Sequence, residues 1–122
     1  MVLAKSNPID NPETLFHHTK KVLQEAQHLK ESYGSRILES VPSQYRQYFW
    51  DALFLVCAAH DLGKVQSLFQ NKIFKACKRE LELLQPVKGT KEIPHNIISP
   101  AFIRNQVRNF PREIRPAIYQ AI

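Results

Sequence analysis

The sequence is poor in the patterns that identify several common classes of protein. It has only two cysteines, Cys57 and Cys77, which are not spaced as C-x-x-C, so neither a disulfide framework nor a zinc knuckle is indicated. Its three glycines form no glycine-rich phosphate-binding loop. The longest apolar run, residues 48–59, is interrupted by Asp51 and is shorter than the roughly 18 residues of a membrane span. Because the first residues also lack the pattern of a signal peptide, we expect a cytoplasmic protein without a membrane segment.

Basic residues are concentrated in the second half of the chain. The net charge of +6 arises from six Lys/Arg against seven Asp/Glu in residues 1–63 and from eleven against four in residues 64–122. The chain of 122 residues is long enough for one domain with a core, so we expect a single domain over residues 1–122. A positive surface suits a polyanionic substrate, because neutralising phosphates releases counterions. The alternative is that these residues form the solvated helix faces of a basic protein.

Apolar residues recur at helical spacing through most of the chain, which predicts an all-α protein. The first helix is predicted to be capped by Asn11 and to run to about Tyr33, with Gly34 as its stop. The second is predicted from Ser43 to about His60, and it is apolar nearly all round, which is typical of the centre of a bundle. One apolar face of the first helix contains Leu15, His18, Val22, Ala26 and Leu29.

The rest of the chain predicts shorter helices and one loop. Pro100 must lie in the first turns of its helix or kink it, because proline lacks the backbone N–H that a helix interior uses. Ser43 is expected to cap the second helix. The predicted elements are one or two helices over residues 64–84 with a break near residues 70–71, a loop over residues 86–94, a helix over residues 95–109 and a final helix from residue 111.

Two sets of basic side chains are candidates for contacts with nucleic acid. Lys72, Lys75 and Arg79 are spaced to lie on one face of a helix, and Arg104 and Arg108 are spaced to share another. Both sets belong to the basic second half of the chain. The sequence therefore predicts two positively charged faces that a phosphate backbone could contact.

A histidine and an aspartate stand side by side at the end of the most apolar segment. Burying the carboxylate of Asp61 is costly unless it is paired or bound to a metal, so His60 and Asp61 predict a metal-binding corner. His18, on the apolar face of the first helix, and His95, which opens a later helix, are further candidate ligands. Lys64 follows three residues after Asp61 and could stabilise a phosphate. Imidazole and carboxylate ligands suit several divalent metals, which indicates a metal-dependent phosphohydrolase or nuclease.

Three blocks of the sequence resemble the HD superfamily of metal-dependent phosphohydrolases. Residues 13–19 (ETLFHHT) resemble the opening motif of the branch found in type I CRISPR systems, the HD nuclease domain that accompanies the effector helicase, and they select His18. Residues 59–64 (AHDLGK) with the later Phe69-Gln70 resemble its His-Asp motif, and residues 94–99 (PHNIIS) resemble its third block. The resemblance implies the all-α HD-domain helical bundle, represented here by its N-terminal part.

The resemblance also implies a set of roles. His18, His60 and Asp61 would bind one metal, Asp61 and His95 would contribute to a second, and Asp61 and Lys64 would be the catalytic residues. The cofactors would be one or two divalent ions: Mn, Ni, Co, Fe or Mg. The activity implied is cleavage of single-stranded DNA, the strand displaced when a guide RNA pairs with its target. The partners implied are the effector helicase, fused or separate, and the guide-RNA surveillance complex.

The chain departs from that branch in its C-terminal part, after the third block. The branch carries a further His-His pair and a late aspartate, whereas this sequence has no histidine after His95 and no aspartate after Asp61. We therefore expect a domain that is incomplete at its C-terminal end. The same residues leave two alternative functions open: an incomplete HD module that binds nucleic acid or a partner protein, and an HD phosphohydrolase that acts on small nucleotides.

Overall fold

The computed structural model describes residues 1–7, 9–86, 88–89 and 91–122, and within these ranges the protein is an all-α bundle without a strand. The predicted fold class is confirmed. The α-helices are α1 (Leu15–Glu39), α2 (Arg46–Ala59), α3 (Ser67–Ala76), α4 (His95–Ile98), α5 (Arg104–Val107) and α6 (Arg115–Ala121). In the same described ranges, 3₁₀ turns cover Ser43–Tyr45, Leu62–Val65, Glu80–Glu82, Ser99–Ile103 and Arg112–Ile114.

Helix α1 differs from its prediction at both ends. Thr14 caps it in place of Asn11, since the Thr14 hydroxyl accepts a hydrogen bond from the N–H of His17 at 3.1 Å. The residues before the cap are extended, because Leu3 and Thr14 form an antiparallel bridge. The helix also continues through Gly34, where a methyl group would lie 3.5 Å from the indole of Trp50 on α2. Packing along α2 therefore outweighs the weak helix propensity of this glycine.

Helix α2 lies between α1 and α6. The chain enters it through the 3₁₀ turn Ser43–Tyr45, and Ser43 makes no capping hydrogen bond, so the predicted cap is wrong. Trp50 and Ala59 are its buried residues, and the apolar residues between them are half-buried. The helix therefore has the predicted central position in that it packs against α1 on one side and α6 on another.

Helix α3 is continuous across residues 70–71, so the predicted break is wrong. It ends in a Schellman motif in which the N–H of Arg79 donates to the carbonyl of Phe74 at 2.8 Å and the N–H of Lys78 to that of Lys75 at 3.1 Å. Lys78 takes the left-handed conformation that this motif requires, with φ at 57°. Arg79 therefore lies beyond the helix and does not share its face with Lys72 and Lys75, which corrects that prediction.

The single helix predicted from His95 to Asn109 is three short pieces. Pro100 lies in the first turn of the 3₁₀ segment Ser99–Ile103, between α4 and α5, because proline cannot supply the N–H that would join them. The predicted final helix begins as the turn Arg112–Ile114 before α6. Residues 84–86, 88–89 and 91–94 lack regular structure, as predicted for this loop, and residues 87 and 90 lie outside the described residues.

Two apolar clusters form the core. The first joins the N-terminal segment to α3 through Leu3, Ile73, Phe74 and Cys77, with Phe69 packed against it. The second gathers residues of α2, α5 and α6 around Ala59, Ile103, Val107 and Ile118. The His-Asp corner lies in the chain segment that connects α2 of one cluster to α3 of the other.

In the described part of the chain, the polar or charged residues that are buried are Asp61, Gln70 and Ser99, which are 3%, 1% and 0% exposed. Each lies in a motif that the sequence singled out. Among the described residues, no single helix is both long and apolar enough to cross a membrane.

Candidate metal centre

Four side chains converge on the carboxylate of Asp61. Nε2 of His18 lies 3.2 Å and Nε2 of His60 3.4 Å from Oδ2, and Nζ of Lys64 lies 2.7 Å from the same oxygen. Nε2 of His95 lies 3.4 Å from the other oxygen, Oδ1. The structure therefore brings together the four predicted metal ligands and the predicted catalytic lysine around one buried acid.

The imidazole of His18 is oriented by an acid that the sequence analysis did not assign to the site. Nδ1 of His18 lies 3.1 Å from Oε2 of Glu13, which precedes the α1 cap. In the tautomer whose Nδ1–H donates to this carboxylate, Nε2 on the Asp61 side is the ring atom that a metal would use. Glu13 lies in the opening motif, which is the feature of the sequence that could have pointed to it. Its contact with His18 depends on how the chain enters α1, which the motif does not show.

His60 is oriented in the same way by the backbone. Its Nδ1 lies 2.7 Å from the carbonyl oxygen of Cys57, one turn earlier, so Nδ1–H donates and Nε2 is the ring atom that faces Asp61. The thiol of Cys57 is half-buried, and desolvation raises its pKa, which favours the unreactive thiol form. Cys57 therefore contributes to the site through packing and through its carbonyl group.

His95 reaches the site because Ser99 fixes α4 against the His-Asp corner. The hydroxyl of Ser99 accepts from the N–H of Gly63 at 2.8 Å and donates to the carbonyl of His60 at 3.2 Å. Gly63 is required for this approach, since a Cβ there would lie 2.5 Å from the carbonyl oxygen of His95 and closer still to the side chain of Ile98. Gly63 of the His-Asp motif thus allows the close approach of His95 from the third block.

Lys64 lies between the acid and an aromatic ring. Its ammonium group pairs with Asp61 and lies 5.9 Å from the ring centroid of Phe69, which in turn makes an edge contact with His95 at 6.1 Å. Lys64 is a half-buried residue, so its charge acts in a region of low water content. Phe69 forms part of the wall of the site.

Gln70 connects the site to the N-terminal segment. Its Oε1 accepts from the N–H of Leu3 at 2.8 Å, and its Nε2 donates to the carbonyls of Leu3 at 2.9 Å and of Lys64 at 2.6 Å. Leu3 also forms a β-bridge with Thr14. The side-chain amide of Gln70 therefore connects the turn that carries Lys64 to the start of α1. Gln70 therefore gives the Phe-Gln pair of the sequence a structural role.

Glu13 is held ionised by its neighbours. The ammonium of Lys21 donates to Oε1 at 3.0 Å and, with His18, lowers the pKa of the Glu13 carboxyl from its usual 4.5, against the opposing effect of burial. Lys5 adds a looser pair at 3.7 Å. An ionised acceptor on Nδ1 makes the opposite nitrogen of His18 a better ligand.

The donor set fits a divalent cation. Nε2 of His18 and Nε2 of His60 both face Oδ2 of Asp61, so with neutral imidazoles the three atoms would form a ligand set for one cation. Ligand atoms of these three residues all lie within 4.8 Å of one another. His95 faces the other carboxylate oxygen, so its part in a second metal position stays a prediction. His17, the neighbour of His18, is exposed and outside this group.

Of the five predicted nucleic-acid contacts, all but Arg79 are exposed. Lys72 is exposed and pairs with Glu92 at 3.6 Å, and Lys75 is exposed on α3. Arg79 is half-buried and pairs with Glu82 at 3.0 Å. The last two, Arg104 and Arg108, are exposed on and after α5.

The comparison with family models decides the relationship. Residues 3–121 match the model described as Cas3, HD domain. The chain belongs to the Cas3 HD-domain family. The all-α bundle is therefore an HD-domain bundle, and the family is one of metal-dependent nucleases of type I CRISPR systems. No curated protein and no solved structure matches the chain.

Proposed function

We propose that this Cas3 HD domain is a metal-dependent nuclease that cleaves phosphodiesters of single-stranded DNA in type I CRISPR interference. It would act in the cytoplasm with an effector helicase, fused or separate, and with a guide-RNA surveillance complex. The observation that carries the proposal is the convergence of three histidines and one lysine on both oxygens of Asp61.

The residues of the site have distinct parts in this chemistry. His18, His60 and Asp61 would hold one divalent ion, and Asp61 with His95 would contribute to a second. Such an ion supplies a water of lowered pKa and neutralises charge on the phosphate. Lys64 is placed to stabilise negative charge that develops on a phosphate beside Asp61. Glu13 and the Cys57 carbonyl hold the two imidazoles in the ligand tautomer.

Accessibility supports a polymeric substrate over a small nucleotide. The side chains of His60 and His95 are 29% and 39% exposed, so the rim of the site is open to solvent although Asp61 is buried. The residues that follow Asp61 carry the basic excess of the chain. An open rim in a chain with this basic excess suits a phosphodiester within a long strand, whereas a mononucleotide site is typically enclosed.

The test is cleavage of end-labelled single-stranded DNA by the protein with Mn, Ni, Co, Fe or Mg, beside a chelator and beside mononucleotides. Asp61→Asn should lose metal-dependent cleavage by at least about a hundredfold, since the carboxylate that would hold the metal becomes a neutral amide. Asp51→Asn is the matched control, because Asp51 is an exposed aspartate on α2.

Each outcome bears on the proposal. Cleavage that needs both a metal and Asp61 supports it. Hydrolysis of mononucleotides, while single-stranded DNA stays uncut, would indicate a small-molecule phosphohydrolase instead. If the folded protein bound DNA but did not cleave it with any of these metals, it would be a binding module, and the proposed activity would be overturned.

A further inference from the structure

A cleft of about 660 Å³ lies beside the metal centre, on the far side of Glu13. One wall is formed by Lys5 and Asn7 of the N-terminal segment, and the other by residues 11–14 and the first turns of α1. Glu13 is shared, because Oε2 contacts the metal ligand His18 while Oε1 contacts Lys21 in the cleft. Among its lining residues are two lysines, Lys5 and Lys21, and one aromatic residue, Phe16.

The N-terminal wall of the cleft is fixed by buried contacts. Leu3 is fully buried in the first core cluster and is held through its N–H and carbonyl by the amide of Gln70. The next residues remain in register, since the N–H groups of Ala4 and Lys5 both donate to the carbonyl of Glu13, at 2.8 and 3.4 Å. These hydrogen bonds order the segment, so Lys5 is held at a defined position beside the cleft.

The cleft offers cationic groups to a phosphate. The side chains of Lys5 and Lys21 are 57% and 59% exposed, and both pair with the single carboxylate of Glu13. Exposed ion pairs of this kind contribute little free energy, so a phosphate can engage either ammonium group at small cost. The two lysines also outnumber the one acid between them, which leaves the cleft net positive.

An aromatic ring stands at the edge of the same cleft. Phe16 is 79% exposed, although it lies in the first turn of a rigid 25-residue helix. It lines the cleft on one side and, on the other, a neighbouring groove of about 330 Å³ that also contains Leu23. An exposed ring on a rigid helix beside two ammonium groups has the composition of a base-stacking platform for a single strand.

We infer that this cleft binds single-stranded nucleic acid, with a base stacked on Phe16 and backbone phosphates at Lys5 and Lys21. The strand then passes Glu13 toward the metal centre. This inference rests on the proposed function and adds to it a binding site apart from the basic faces predicted from sequence. A folded duplex does not fit, because its bases are stacked on each other and cannot reach Phe16.

The test is equilibrium binding of a fluorescent oligothymidylate in the presence of a chelator, so that cleavage plays no part. Phe16→Ala should weaken binding about tenfold, the effect of one lost base stack. Lys5→Ala with Lys21→Ala should reduce the slope of log affinity against log salt by about 1.4, the value for two phosphate contacts on a single strand. Tyr33→Ala and Arg36→Ala, an exposed aromatic and an exposed cation near the other end of α1, should leave binding unchanged.

The outcomes separate the cleft from the catalytic proposal. Weaker oligothymidylate binding by Phe16→Ala, with a raised KM and an unchanged kcat in any cleavage, supports the cleft. Oligothymidylate binding that depends on Phe16 in a protein that never cleaves DNA would support the cleft and overturn the nuclease. Equal affinity of Phe16→Ala and Tyr33→Ala, preference for an acidic peptide, or no oligothymidylate binding by the unchanged protein would overturn the cleft alone.

Discussion

Nζ of Lys64 lies 2.7 Å from Oδ2 of Asp61, the carboxylate oxygen that also faces Nε2 of His18 and of His60. A divalent cation held by those imidazoles would bind the same oxygen, so the ammonium group and the cation compete for it. Phe69 offers the lysine a second position, since its ring centroid is 5.9 Å from Nζ. Lys64 is therefore expected to leave Asp61 for the ring or the substrate phosphate when a metal binds.

Replacing Lys64 should change metal affinity and cleavage in opposite directions. In Lys64→Gln the competing charge is absent, and at about 4 Å a unit charge is worth roughly 1–4 kcal/mol. We expect metal affinity, measured by calorimetry, to rise about tenfold or more. We expect kcat for DNA to fall by about a hundredfold or more, as for other lost transition-state donors.

The control for this competition is Lys20→Gln, which removes an exposed lysine of α1 outside the site. It should bind metal as the unchanged protein does. If Lys64→Gln bound metal more weakly than the unchanged protein, Lys64 would be supporting the ligand arrangement rather than competing with the cation. If kcat were unchanged, Lys64 would have no part in the reaction.

Glu13 should affect metal binding without being a ligand. Glu13→Gln removes the negative charge from the acceptor on Nδ1 of His18 but keeps the size of the side chain. Substitution of the hydrogen-bond partner of a ligand histidine typically lowers metal affinity by about 10- to 100-fold. Calorimetry of Glu13→Gln beside Glu25→Gln, which changes an exposed glutamate of α1, measures the effect. Equal affinities for the two variants would show that His18 is oriented by other contacts.

The sequence predicted the residues at the centre of the site better than the residues that hold them in place. Asp61 and His60 were found because a buried carboxylate is costly, a cost visible in the local sequence. His18 was distinguished from His17 by the apolar face of the first helix and by the opening motif. His95 was a candidate because it opens a later helix, and the resemblance of residues 94–99 to the third block agreed with that choice. The roles of Glu13 and Gln70 were missed, because they depend on the pairing of Leu3 with residues far away in sequence, 67 residues in the case of Gln70.

The errors in helix boundaries have the same origin. Gly34 stays helical because α1 packs against Trp50 of the next helix, and Arg79 leaves its predicted face because Lys78 takes a left-handed conformation. The helix predicted from His95 is broken near Pro100, which the sequence signalled without locating the break. Local periodicity predicts which residues form helices, whereas tertiary contacts decide where those helices end.

Gln70 should control the attachment of the N-terminal segment. Gln70→Leu leaves the N–H of Leu3 and two carbonyls without their partner, and each buried unpaired group costs about 1–3 kcal/mol. We expect a loss of at least about 2 kcal/mol in the free energy of unfolding and faster hydrogen exchange at the Leu3 amide. Gln47→Leu, at an exposed position of α2, should cause neither change. An unchanged Leu3 exchange rate in Gln70→Leu would contradict this attachment.

The two helix-associated glycines should respond to alanine with opposite signs. At Gly63 a methyl group would lie 2.5 Å from the carbonyl oxygen of His95 and 2.7 Å from its Cα, so α4 must move away from the His-Asp corner. At Gly34 the nearest atom would be 3.5 Å away, on Trp50, which is an ordinary contact, and alanine favours a helix interior by about 0.5–1 kcal/mol.

Urea unfolding in a chelator should therefore show Gly34→Ala slightly more stable than the unchanged protein and Gly63→Ala less stable, by about 1–3 kcal/mol as for other overpacked sites. Gly63→Ala should also lose any metal affinity that depends on His95, since the displaced helix carries that ligand. His95→Ala separates the two effects, because it removes the ligand without the steric clash. If Gly63→Ala kept full stability and metal affinity, the close approach of α4 to the His-Asp corner would be wrong.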